Sequence, residues 1–186
     1  MQNIDFQKFL TSLQGSLGTF NTSQITGLQN LITYLEQDVN MADLRWCAYA
    51  LATTYWESGR TFLPIAEYGK GKGHPYGIPD SITGKVYYGR GFVQTTWKAN
   101  YKTFSSVVGQ DLVSNPELAL EPNIAYKIMS SGMRKGMFTG VGLSRYFNDT
   151  KEDAVNARKI INGLDQAQKI AGFYEQILKA LKESLL

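Results

Sequence analysis

Between Glu67 and Gly109 the chain places 8 of its 18 glycines and two of its five prolines. A stretch so often interrupted cannot run as one long helix or a regular sheet. On both sides of it the apolar residues fall at three- and four-residue spacing, the period of a helix with one buried face. Ile25, Leu28, Leu31, Ile32 and Leu35 form one such stripe, with Thr22-Ser23 as its predicted cap. A second helix is expected to start near Asn40, carry Leu44, Cys47, Ala48, Leu51 and Tyr55, and stop at Gly59. Helical character returns over Thr95 to Val108, again after Glu121-Pro122 over Ile124 to Met133, and from Asp165 to Leu185. The chain therefore reads as mostly α, with loops and a small β-hairpin in the middle, Lys85 to Tyr88 being the β-like run.

The 186 residues are enough for one domain with its own core, and 43% hydrophobic with 19% charged is ordinary for a globular chain. One cysteine, Cys47, cannot close an internal disulfide, and in the apolar run Trp46 to Ala52 it reads as a small buried hydrophobe. A single His, His74, with that Cys makes an ordinary zinc site implausible, so no metal and no cofactor are expected. Met1 to Asp5 shows neither a basic leader nor an apolar signal core, so the chain is read as made without an export signal of its own. Net charge is +3, unevenly spread: residues 1–66 hold 3 basic and 5 acidic groups, residues 124–186 hold 10 and 6. That bias suits an anionic partner. With no Lys/Arg run and no nucleic-acid-binding signature, nucleic acid is not expected to be that partner.

The chemistry concentrates around two acids. Glu57, between Trp56 and Ser58 at a helix end, is placed for partial desolvation, which a general acid needs. Glu67 lies in a loop with Gly69, Gly71 and Gly73, where a carboxylate is more solvated and suits a general base. Two carboxylates in different environments are the equipment for glycoside hydrolysis. Downstream, Tyr87-Tyr88-Gly89-Arg90-Gly91 sets a cation between glycines, and Gln94, Thr95, Thr96, Trp97 and Asn100 open what reads as a helix. Arg90 could hold or neutralise the acid. Gln94 and Thr96 can bond hydroxyls, acetamides or an attacking water, and Tyr87, Tyr88 and Trp97 offer ring faces for sugars or for core packing.

These residues resemble the family 19 chitinases and the related phage endolysins of the lysozyme superfamily. The resemblance runs from about Leu44 to Tyr174 and rests on four ordered motifs: Tyr55-Trp56-Glu57-Ser58-Gly59, Tyr87 to Thr96, Leu112 to Ala119, and Ile160-Ile161-Asn162-Gly163-Leu164 followed by Ala171 to Tyr174. It implies a two-lobed lysozyme-like fold in a single catalytic domain over 1–186, the larger helical lobe from 1–60 and 95–186 and the small loop lobe from about 61–94, with no separate wall-binding module. It further implies Glu57 as general acid, Glu67 as general base, Thr96 with Gln94 positioning water and substrate, and Asn162 lining the groove. Tyr88, Arg90, Thr95, Trp97 and Asn100 complete the expected substrate contacts. Glu117 and Glu121 are the competitors for the second acid.

The family inverts the anomeric centre, which implies carboxyl groups about 6.5 to 9.5 Å apart. This chain departs from the chitinases in the short gap between its acids, in Trp56 where they have His, and in lacking their disulfide cysteines and chitin-binding module. It looks more like the compact endolysins that cut peptidoglycan, with chitin as the alternative substrate and an inactive wall-binding module as the rival from another class. A monomer is the default expectation, and the resemblance implies a protein made in a bacterial cytoplasm and released by a holin to act on glycan strands in the periplasm. Ile170, Phe173, Ile177, Leu178 and Leu181 with Lys169, Lys179 and Lys182 make a basic amphipathic last helix, read as core-packed or, more sharply, as touching the outer membrane.

Overall fold

The computed structural model describes residues 1–186. Six α-helices carry the fold: α1 (Phe6–Leu17), α2 (Thr22–Gln37), α3 (Leu44–Glu57), α4 (Lys98–Val108), α5 (Pro122–Lys135) and α6 (Ala167–Glu183). Two antiparallel pairs of two-residue strands complete it, β1 (Ile65–Ala66) with β2 (Arg90–Gly91) and β3 (Phe147–Asn148) with β4 (Lys151–Glu152).

The helices form where the spacing predicts, with small corrections at their ends. Asn21 caps α2, in a reciprocal pair with Gln24, one residue before the expected Thr22. Asp43 caps α3 by accepting from Arg45 N, and the helix starts at Leu44 rather than near Asn40. α4 begins at Lys98 because Thr95 is held back in an antiparallel bridge to Arg90. α1 was not foreseen, although Phe9, Leu10 and Leu13 bury one face of it and Asp5 caps it.

α3 is the centre of the molecule: every residue from Cys47 to Tyr55 is buried, so it is enclosed all round rather than on one stripe. α6 packs across α3 and α1, with Ile170, Tyr174, Ile177 and Leu181 at 2% exposure or less. Each such side chain contributes about 1.5–3 kcal/mol by leaving water. Tyr49, Phe147 and Tyr174 meet with ring centroids 5.2–6.0 Å apart. The apolar face of α6 thus lies in the core, its lysines 169, 179 and 182 facing solvent. Cys47 is fully buried, and burial pushes its thiol up to about 12. A second, smaller cluster, with Tyr101, Phe104, Leu112 and Ile128, joins α4 to α5 and takes in Tyr87. No helix is long and apolar enough to cross a membrane.

Lys85 to Tyr88 is not a strand. Tyr87 is drawn into the second cluster, 5.3 Å from the Tyr101 ring, and the hairpin forms on either side of the loop, Ile65 opposite Gly91 and Ala66 opposite Arg90. This pairing sets the residues after Gly91 beside the end of α3.

Candidate active site

Glu57 is the last residue of α3. The chain reverses directly after it: Gly59 and Arg60 take φ 60° and 70°, Arg60 N donates to Tyr55 O, and the buried Ser58 Oγ accepts from Phe62 N. This turn leaves the Glu57 carboxylate at the helix end, with its side chain 16% exposed. Its partner is Arg158, whose Nη1 donates to Oε1 at 2.5 Å while Nε donates to Asp165 O at 3.0 Å. Arg158 is 4% exposed. It belongs to the short 3-10 turn Asn156–Ile160, and its carbonyl accepts from Asn162 N.

A cleft of about 370 Å³ opens on this pair, lined by Glu57, Val93, Gln94, Thr95, Thr96, Trp97, Asn100, Phe138, Ile161 and Asn162. One wall is a rigid string. Gln94, at φ 53°, donates from Nε2 to Ile65 O and Gly91 O; Thr96 Oγ1 donates to Gln94 O at 2.8 Å; Asn100 Nδ2 donates to Thr96 O at 2.7 Å. Thr96 keeps its hydroxyl lone pairs as acceptors, while Thr95 is 2% exposed with an unpartnered hydroxyl. Trp97, at φ 73°, is 50% exposed at the rim.

Glu67 does not line this cleft. Its carboxylate accepts from Gly89 N and from Tyr76 Oη, each at 3.1 Å, and the Tyr76 ring stands edge-on to Trp97 at 5.3 Å. The residue after it, Tyr68, reaches toward the other acid: a Cβ on Gly59 would sit 3.1 Å from Tyr68 Oη. Glu67 is thereby held on a loop tied both to the cleft rim and to the turn that follows Glu57.

Arg90 and Tyr88 go elsewhere. Arg90 is 2% exposed and fully engaged, with Nε and Nη2 on Glu117 Oε1, Nη1 on Val86 O, Tyr88 O and Tyr101 Oη, and its Cζ 3.5 Å over the Tyr88 ring. With Glu117 and Glu121 these two residues line a separate cavity of about 560 Å³. The glycine after Arg90 has a packing reason: Gly91 sits at φ 87°, where a Cβ would come 2.9 Å from Ala119 O. The Arg90 hydrogen bonds hold the Glu117 carboxyl below the usual range. The cation that faces Glu57 is Arg158, which no local motif announced.

The fold is similar to that of the family 19 chitinases, and part of the chain matches a chitinase family model. The family model described as chitinase class I matches residues 48–131, which hold both acids and the Tyr87–Thr96 motif. The fold matches that of chitinase C from Streptomyces griseus at TM-score 0.56 and 20% identity, over 96% of this chain and 92% of that one. A class IV chitinase from Zea mays matches at 0.57 and 16%, over 94% and 90%. Among curated relatives, endochitinase 1 of Theobroma cacao is 47% identical over 45 residues, 24% of this chain and 14% of its own length. The endochitinase of Persea americana is 37% identical over 65 residues, 31% of this chain and 20% of its length. The chain thus matches only a minor part of these relatives' length.

Proposed function

We propose that this protein hydrolyses β-1,4-linked glycans of N-acetylated amino sugars by an inverting, two-carboxylate mechanism. The observation that supports it best is Glu57, fixed against buried Arg158 at the end of a cleft whose other wall offers Gln94, Thr96, Asn100 and Asn162. Glu57 gives its proton to the glycosidic oxygen as the bond to the anomeric carbon breaks. Water, oriented by Thr96 and Gln94, attacks the opposite face and passes its proton to Glu67. Arg158 keeps the Glu57 side chain in one position and balances the charge left when the proton departs. Trp97, half exposed at the cleft rim, stacks on a sugar ring.

Peptidoglycan is the substrate we favour, in the setting of bacterial lysis, because the 124–186 segment is basic and wall glycans carry carboxylates. Chitin is the second reading, favoured by the endochitinase relatives. The test is mass spectrometry of reduced products from purified peptidoglycan and from a chitin oligomer, with wild type and Glu57→Gln. Products ending in reduced N-acetylmuramic acid establish a muramidase, and products from chitin alone establish a chitinase. Glu57→Gln should be slower by about 10² to 10⁴-fold. Full activity in that variant would end the assignment.

A further inference from the structure

A second cavity, of about 490 Å³, lies between the end of α2 and the outer face of α5 and shares no lining residue with the Glu57 cleft. Its one acid is already satisfied. Asp38 Oδ2 accepts from Ser130 Oγ at 2.6 Å and Tyr126 Oη at 3.0 Å, and Oδ1 accepts from Asn40 N and Nδ2 at 3.0 and 3.1 Å. Burial opposes its charge, but these bonds outweigh burial and hold the carboxyl below its ordinary range. A carboxylate with four donors in place has little left to offer a ligand.

What the cavity leaves unmet is donors. Lys127 has no carboxylate within 4.0 Å, and neither does Arg134, whose one side-chain bond is a long 3.4 Å contact from Nε to Ser130 Oγ. Asn123 uses its Oδ1 on Ile124 N and keeps its amide protons. Beside them the half-buried Tyr34 ring packs on Tyr126 with centroids 5.1 Å apart. Two free cations, a free amide and an aromatic ring in one cavity fit an acceptor-rich anion with a sugar body.

We propose that this cavity is a second glycan-binding site, taking carboxylate-bearing N-acetylated sugars with the carboxylate between Lys127 and Arg134 and the sugar against Tyr34. The inference builds on the glycan reading above and adds an anchor separate from the cleavage site, one that retains a polymer but not a short oligomer.

The test is depletion binding of the full chain at 4 °C to purified peptidoglycan sacculi and to uncharged chitin beads, comparing wild type with Lys127→Gln/Arg134→Gln. The double variant should bind sacculi about fivefold more weakly, bind chitin as before, and hydrolyse a short N-acetylglucosamine oligomer at the wild-type rate. Unchanged binding to sacculi overturns the proposal, as does an equal loss on both polymers. Should the variant fail to fold, amide shifts of the wild type on adding N-acetylmuramic acid are expected within residues 34–40 and 123–134, and not with N-acetylglucosamine. Shifts absent there, or equal for both sugars, overturn it. A wild type that cleaves neither polymer while keeping the binding contrast would refute the hydrolase reading and leave this site standing.

Discussion

Arg158 and Glu57 stand 101 residues apart in the chain and meet side chain to side chain at 2.5 Å, the guanidinium almost wholly buried. Removing one partner of such a pair leaves the other as an uncompensated charge away from water. Arg158→Ala is expected to lower stability by about 3 kcal/mol in urea unfolding and to remove most activity. Arg158→Lys, which keeps charge but loses the fork that also reaches Asp165 O, should recover part of the stability and little of the rate. Wild-type turnover in Arg158→Ala would show that Glu57 needs no fixed cation.

The hydroxyl of Tyr76 is the one side-chain donor to Glu67. Tyr76→Phe keeps the ring against Trp97 and deletes that bond alone. If Glu67 is the base, kcat should fall by about three- to tenfold, in line with about 1 kcal/mol for one hydrogen bond, with KM and the unfolding midpoint nearly unmoved. A change confined to KM would assign Tyr76 to sugar contact instead.

Gly77 cannot carry a side chain, because a Cβ there would lie 1.8 Å from Gly71 O, a backbone atom with no rotamer to yield. Gly77→Ala should open the loop that presents Tyr76, costing activity more than global stability, on the order of 1–3 kcal/mol for the clash. Faster proteolysis between residues 67 and 80, with the helical core intact, is the expected sign. A variant with unaltered kinetics would separate this loop from the chemistry.

Acid should weaken the fold. Burial opposes ionisation of Asp38 and Asp43, but their hydrogen bonds from Ser130 and from Arg45 outweigh it and lower both, and Arg90 lowers Glu117. Folded values below the unfolded ones of 3.8 and 4.5 mean that the native state binds fewer protons, so this stability is present above those values and lost as pH falls through the folded ones. Urea midpoints should be flat from about pH 7 to 5 and drop toward pH 3, the drop becoming shallower in Asp38→Asn. A midpoint that held steady to pH 3 would contradict it.

The helices were legible because their cores repeat at three and four residues: Leu28, Leu31, Ile32 and Leu35 lie buried on α2 as the spacing requires. α1 showed the same spacing in Phe6, Phe9, Leu10 and Leu13 and was readable too. The strands were not, since two residues are too few to display alternation, and Lys85 to Tyr88 mimicked them with Tyr87, which serves the Tyr101 cluster, and Tyr88, which lies under Arg90. Within the cleft, Gln94 to Trp97 and Asn100 lie side by side because they are neighbours in one contiguous motif. Arg158 lies two residues before the Ile160–Leu164 motif and outside it, and its pairing with Glu57 spans 101 residues, which no local pattern displays. Arg90 is placed away from the cleft: its side chain pairs with Glu117, and its flanking glycines let the backbone pack closely on Gln94 and on Ala119 O.

Cys47 sits on α3, fully buried in the core. Its thiol neither ionises near neutrality nor meets solvent, so a thiol reagent added to the native protein reacts only when α3 and its neighbours part. With no other cysteine in the chain, the labelling rate is a native clock for whole-core opening. It can be read in the unmodified sequence, with the Glu57 cleft empty or filled, to show whether occupancy slows the breathing of the helices beneath it.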